Sequence, residues 1–222
     1  TEGTTIRLSQ QRFQSAMTAA EAKSGADGVV WQIPLNISGS SLTLESTVFL
    51  LTTKDAEISV SADTSAVTSS SPVWVNVNTN RSAFFRVNYS PSLLAAAGAQ
   101  VLQGTLSAAD RLALISDAFA CAATGLSSMM PLLSDLVPCF RRGEQELSVL
   151  QELRDGLTSL LSVHATDARV VQYLRQLAAA VFAAPAVLRF GGIVFRRSRT
   201  GAASRVAAGT SAVEQARAPL AP

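Results

Sequence analysis

Few residues of this chain could do chemistry. The one histidine, His164, stands three positions before Asp167, a pair that in principle could polarise a serine hydroxyl as a general base does. His164 also falls at a predicted helix end, where an imidazole is commonly a solvated group favoured by the helix dipole. Cys121 and Cys139 are too widely spaced for a C-x-x-C redox pair and have no histidine near them in sequence. They read as reduced, buried structural thiols, which points to a cytoplasmic protein. No G-x-x-x-x-G-K-[ST], G-x-G-x-x-G or H-E-x-x-H run occurs, and one histidine cannot build a histidine-rich zinc site. No catalytic and no metal-binding position is therefore assigned.

A second polar set is more specific. Arg86 interrupts Phe84-Phe85-Arg86-Val87-Asn88-Tyr89, a predicted strand with large apolar residues at alternate positions. Its side chain lies on the face opposite Phe85 and Val87, so it must reach solvent or a carboxylate. Asp110, Arg111 and Asp117, on a predicted helix, are the candidate partners. Arg111 and Asp117 are six residues apart, do not share a helix face, and should pair with other elements. The expected role of these four residues is to pin a β layer to a helical layer; the alternative is contact with a substrate.

The elements that must position them follow from periodicity. Ile6 and Leu8 alternate with Arg7 and Ser9, Trp31, Ile33, Leu35 and Ile37 recur at every second position, and Val48–Leu51 and Glu57–Val60 are short apolar or alternating runs. Val73, Val75 and Val77, then Phe85, Val87 and Tyr89, continue the pattern around a polar turn at 79–82. Short strands between turn clusters predict an antiparallel β-sandwich over residues 1–90. Ser90-Pro91 is a helix start, Ser107 with Asp110 a clearer one, and Gly104 and Gly125 are stops. Further helices are predicted over about 128–141, interrupted or kinked by Pro131 and Pro138, over 144–163, and after Thr166 or Asp167. Short connections make these antiparallel neighbours, an all-α, HEAT-like solenoid segment over residues 91–188. If the helical array stops near Phe182, Val170, Leu174, Leu177 and Val181 would form a bare face on the last helix.

Composition excludes several classes. Apolar residues make up 48% and charged ones 15%, which is not a disordered polyampholyte. A formal charge of +2 is not the footprint of a dedicated nucleic-acid binder. The longest apolar run, Leu177 to Leu188, is too short to span a bilayer and contains Pro185, so no membrane partner is expected. The opening Thr1-Glu2-Gly3 has neither a start methionine nor a signal pattern, as expected of a piece of a longer protein. Six arginines against Glu214 put a formal +5 on residues 189–222 and −3 on the residues before them. With Ala, Gly and Ser between them they read as a mobile tail, or else as an arm for anionic surfaces.

Several of these stretches carry a family resemblance. Trp74-Val75-Asn76-Val77-Asn78, Ala83-Phe84-Phe85-Arg86-Val87-Asn88-Tyr89 and Asp110-Arg111-Leu112-Ala113-Leu114-Ile115-Ser116-Asp117-Ala118-Phe119 resemble segments of the zinc aminopeptidases of the aminopeptidase N and puromycin-sensitive type. Gln10-Gln11-Arg12-Phe13 is similar to that family's Q-x-R-F segment and Trp31-Gln32-Ile33-Pro34-Leu35 to its W-x-I-P-L strand. Ala83 stands where the family has glycine and Phe85 where it has tyrosine. The resemblance implies the region after the catalytic domain: a small β-sandwich and the beginning of the helical C-terminal domain. It implies a parent enzyme in which zinc-activated water and a glutamate cleave the first peptide bond, with the zinc motif upstream of this chain. No zinc is expected in the segment itself. Its partners would be that upstream catalytic domain and the parent's peptide substrates. The rival expectation is a stand-alone interaction module that binds peptides or proteins on a concave helical face.

Overall fold

The computed structural model describes residues 3–13, 29–39, 42–43, 48–62, 74–183, 189–190, 193–197 and 203–207. Strands come first and helices follow. β1 (Gly3–Ser9) pairs antiparallel along its length with β6 (Asp55–Ala62), Gly3 opposite Ser61 and Ser9 opposite Asp55. β4 (Leu42–Thr43) takes the other edge of β6. β2 (Ile33–Asn36) pairs with β5 (Val48–Leu51), and β3 (Ser38–Gly39) with β7 (Val75–Asn76), both antiparallel. Two-stranded ladders are marginal alone. These are held by a shared core in which Leu35, Ile37, Leu51, Val75 and Val77 are buried and Ile6, Leu8, Ile58 and Phe49 pack on them. Each such side chain contributes roughly 1.5–3 kcal/mol on burial.

The segment predicted as a strand through Phe85, Val87 and Tyr89 keeps the alternation but joins no ladder. Phe85, Val87 and Tyr89 are half-buried against the β core, while Phe84, Arg86 and Asn88 are exposed. The reason is a tertiary contact: the Val87 amide donates to the Asp117 carboxylate at 2.9 Å rather than to a neighbouring strand.

Helix starts obey their sequence signals. α1 (Pro91–Gln103) has Ser90 as cap, its hydroxyl accepting from the Leu93 amide, and ends where Gly104 turns left-handed at φ 72°. α2 (Ala108–Ala123) is capped by Ser107, which accepts from the Asp110 amide. Between Met129 and Arg142 the chain stays helical but changes pitch: α3 (Met129–Pro131), a π turn over Leu132–Leu136 and a 3-10 stretch over Val137–Arg142. Pro138 has no amide to donate, so a regular α ladder cannot run through it. α4 (Leu147–Val163) begins three residues later than predicted, because Glu144 folds back into the interior instead of opening the helix. α5 (Ala168–Val181) is capped by Asp167, whose carboxylate accepts from the amides of Arg169 and Val170.

The expected bare face of α5 is corrected by the structure. Leu174, Leu177 and Val181 are buried and Val170 packs against the same core. The short 164–167 connection folds α5 back on α4, so the apolar stripe is spent inward, and Gln172, Arg175 and Gln176 are exposed. That core runs from Leu94 through Ile115, Leu136, Phe140, Val149, Leu153 and Leu157 to Phe182. No helix among the described residues is long and apolar enough to cross a membrane. Within 189–222 the described parts are three short antiparallel strands, β8 (Arg189–Phe190), β9 (Ile193–Arg197) and β10 (Ala203–Ala207). The remainder of that predicted tail lies outside the described residues, as do Val73 and Pro185.

α2 and α4 meet closely at Gly156, where a Cβ would stand 2.6 Å from the Cε2 and Cζ atoms of Phe119. Glycine inside a helix costs about 1 kcal/mol relative to alanine, but overpacking a core ring costs about 1–3 kcal/mol. Gly156→Ala is therefore expected to destabilise by about 1 kcal/mol net, seen as a lower urea midpoint. Adding Phe119→Leu should make the alanine at 156 neutral or favourable.

Candidate functional site

The four residues singled out in the sequence fall in three side-chain clusters, the first two on the seam between strands and helices and the third, around Arg111, within the helical part. In the first, Asp117, buried in the middle of α2, receives Arg86 Nη1 at 3.0 Å and the Val87 amide at 2.9 Å. The guanidinium of Arg86 also sits 5.1 Å from the centroid of the Phe13 ring, within cation–π range. One side chain thus ties together the segment after β1, the extended segment 85–89 and α2. Burial pushes the Asp117 carboxyl above its ordinary value; the Val87 amide and the Arg86 charge oppose this without cancelling it.

The second cluster is built on Asp110. Its Oδ1 accepts from Asn76 Nδ2 at 2.8 Å and from the Asn80 amide at 2.6 Å, and its Oδ2 accepts from the Ser107 hydroxyl at 2.6 Å. One carboxylate therefore joins β7, the 79–81 turn and the start of α2. That turn holds Asn80 at φ 56° and Arg81 at φ 53°, a left-handed conformation uncommon outside glycine and asparagine. Asn78, buried, closes it by accepting from the Ala83 amide and donating to the Ala83 carbonyl, both at 3.0 Å. Tyr89 places its hydroxyl 3.4 Å from Asn76 Oδ1 and from the Val77 amide. Burial drives the Tyr89 phenol far above its ordinary range, so it stays protonated.

In the third cluster Arg111 grips Glu144 with both ends of its fork, Nε to Oε2 at 2.6 Å and Nη2 to Oε1 at 2.8 Å. Arg111 Nη1 donates to the Leu106 carbonyl at 2.7 Å. Glu144 Oε1 also accepts from the amides of Gln145 and Glu146. Burial alone would raise the Glu144 carboxyl, but Arg111 and the two amides hold it below its ordinary value, and the Glu144 bond in turn raises Arg111. The structure thus gives Arg86 the carboxylate of Asp117, Arg111 that of Glu144, and Asp110 no cation but three neutral donors.

Sequence reasoning did not single out Glu144, Asn76, Asn78 or Gln10. Gln10 is buried and staples the loop ends: Nε2 donates to the carbonyls of Trp31 and Thr53, and Oε1 accepts from the Trp31 amide. A signal existed for three of them, since Gln10, Asn76 and Asn78 sit inside the stretches that carry the family resemblance. Glu144 had none, because a loop acid looks solvated until its partner is known.

What the arrangement can do chemically is hold. Each carboxylate in it is engaged by donors, and the Ser107 hydroxyl that lies on Asp110 is occupied in capping α2. A cleft of about 290 Å³ between Val87–Pro91 and the ends of α1–α3 is lined by apolar side chains with Asn88, Tyr89 and serine hydroxyls; no carboxylate, imidazole or thiol lines it. Cys121 is buried and its thiol raised to about 11, chiefly by desolvation. Cys139, expected to be buried, is only half so, at the changing helical pitch where its Sγ donates to the Asp135 carbonyl. No group of three His, Cys, Asp or Glu able to hold a metal occurs among the described residues. His164 is exposed at the end of α4.

The two shifted acids act with opposite sign. Glu144, held below 4.5, adds stability above that pH that is lost as pH falls through its folded-state value. Asp117, raised above 3.8, is protonated in the folded state before it is in the unfolded one, so it withdraws stability as pH rises through that window. Urea midpoints are therefore expected to climb more steeply just above pH 3.8 in Asp117→Asn than in the wild type, and to fall less steeply in Glu144→Gln as pH drops below 4.5.

Comparison with known proteins places the chain among aminopeptidase-related sequences. Aminopeptidase M1-A and aminopeptidase M1-D of Oryza sativa subsp. japonica are each 27% identical to it over 146 residues, 65% and 64% of this chain. The chain spans 16% of the length of either relative. The ERAP1-like C-terminal domain family matches residues 74–213, from just before β7, through the seam and all five helices, to beyond β10. With well over half of its length matched, the chain belongs to the ERAP1-like C-terminal domain family.

Proposed function

We propose that this chain is the non-catalytic C-terminal segment of a zinc-dependent aminopeptidase that removes N-terminal residues from peptides. The single observation that carries this reading is the family match over residues 74–213, which takes in β7 and all the helices. Zinc and its chemistry belong to the polypeptide upstream, which is also this segment's principal partner. The β part acts as a small sandwich-like spacer; its ladders draw on one common core, as the layers of a sandwich do. The helices begin a HEAT-like solenoid that walls the chamber receiving the parent's peptide substrates, and such a wall works by positioning and by excluding water. The Arg86–Asp117 and Asp110 clusters keep spacer and wall from moving independently, and Arg111–Glu144 braces the wall itself. Two reduced thiols suit a cytoplasmic setting.

The test is to read the coding sequence upstream of Thr1. A contiguous H-E-x-x-H motif a few hundred residues earlier is expected. A start codon at this position with no zinc motif in frame would replace the reading with that of a stand-alone interaction module.

A further inference from the structure

The cleft between Val87–Pro91 and the ends of α1–α3 has a buried apolar lining of Leu94, Leu114, Ala118 and Leu132. Tyr89 offers it a ring, because its hydroxyl is turned to Asn76 and Val77. At about 290 Å³ the cleft stands at the low end of ligand pockets, which run roughly 300–1,000 Å³. That is room for one bulky side chain and not for a larger body. No charged residue lines it among the described residues. A carboxylate or ammonium entering it would lose water and find no partner, so the side chain it takes is uncharged.

The rim says what carries that side chain. Asn88 and Tyr89 lie in the extended segment that joins no ladder, and their main-chain amides and carbonyls have no partner among the described residues. Asn88 spends only its Nδ2, on the Leu126 carbonyl at 3.3 Å, and its Oδ1 and the Ser127 hydroxyl are open among the described residues. Unpaired main-chain groups must meet water or another chain. An extended peptide satisfies such groups with its own backbone, which supplies affinity, while a neighbouring pocket reads one of its side chains.

We propose that the Asn88–Tyr89 segment and this cleft together bind an extended peptide, through its backbone and one bulky, uncharged aromatic or aliphatic side chain. With neither an acid to hold an amino terminus nor a cation to hold a carboxylate, the site takes the interior of a peptide. The inference needs only this chain and goes beyond the function proposed above.

The experiment titrates the nitrogen-15-labelled 222-residue chain with a pentapeptide blocked at both ends, phenylalanine at its centre and alanine or serine elsewhere. Saturable amide shifts are expected, confined to residues 87–91 and 126–128. Peptides with alanine or glutamate at the centre should bind at least about tenfold more weakly, since neither buries an apolar ring. Ser127→Trp, which fills the mouth from the rim, should weaken the phenylalanine peptide by as much while circular dichroism stays unchanged. If that variant is poorly folded, the wild type carries the test through intermolecular Overhauser contacts from the phenyl ring to the methyls of Leu94, Leu114 and Leu132. No saturable shift, shifts centred elsewhere, or equal binding of the alanine peptide would overturn the inference and leave the proposed function standing. N-acetylphenylalaninamide binding as tightly as the pentapeptide would assign the cleft to a small molecule, and so overturn it too.

Discussion

Replacing Glu144 with alanine is expected to cost about 3–5 kcal/mol of unfolding free energy, as breaking a buried ion pair from one side does. The Glu144 side chain is 3% exposed and that of Arg111 18%, so little water is at hand to replace the carboxylate. Its loss leaves two ends of the Arg111 fork without an acceptor and only the Leu106 carbonyl in place. It also strips the amides of Gln145 and Glu146, which precede α4, of their acceptor. The double change Arg111→Met with Glu144→Leu should cost less than Glu144→Ala alone, because an apolar pair of similar size carries no stranded charge. Denaturant unfolding of the three variants reads both effects. A loss under about 1 kcal/mol for Glu144→Ala would mean that the pair counts for no more than a surface bridge.

Asp110→Ala is expected to cost about 3 kcal/mol, from two or more charge-assisted hydrogen bonds at about 1.5–3 kcal/mol each, partly recovered by water. The alanine leaves Asn76 Nδ2 and the Asn80 amide without their acceptor and removes the partner of the capping hydroxyl of Ser107. The left-handed pair Asn80–Arg81 should then relax, since the Asn80 amide loses its bond and only the Ser107 hydroxyl, 3.1 Å from Asn80 Oδ1, still ties the turn to α2. Asp110→Asn keeps one carbonyl oxygen and should lose about half as much. Hydrogen exchange distinguishes the cause: the Asn80 amide should lose protection in Asp110→Ala while amides in α4 keep theirs. Uniform loss along the chain would show global destabilisation instead of an opened seam.

Much of this was legible in the residues. Ser90-Pro91, Ser107 with Asp110, and Gly104 mark helix ends because capping is a contact between near neighbours, so the sequence order carries it. The alternation of Phe85, Val87 and Tyr89 was readable for the same reason, since it sets which face is buried. Whether that face belongs to a hydrogen-bonded strand was not readable: the Val87 amide is claimed by Asp117, 30 residues away. Glu144 is the sharper case. Nothing in Arg142-Gly143-Glu144-Gln145 distinguishes a solvated loop acid from a buried one, and the helix predicted from 144 gave way to a tertiary ion pair with Arg111, 33 residues distant. The face of α5 was misjudged because periodicity shows that a stripe exists without showing which neighbour covers it.

Under the proposed function these residues hold and position, and the reactive groups lie elsewhere. The direct measurement is turnover of an aminoacyl-coumarin substrate by the purified, protease-free 222-residue chain, with metal analysis of the same sample. No hydrolysis above background is expected, with or without added zinc, and far less than one zinc per chain. Hydrolysis that scales with protein concentration in a sample carrying one zinc per chain would contradict it.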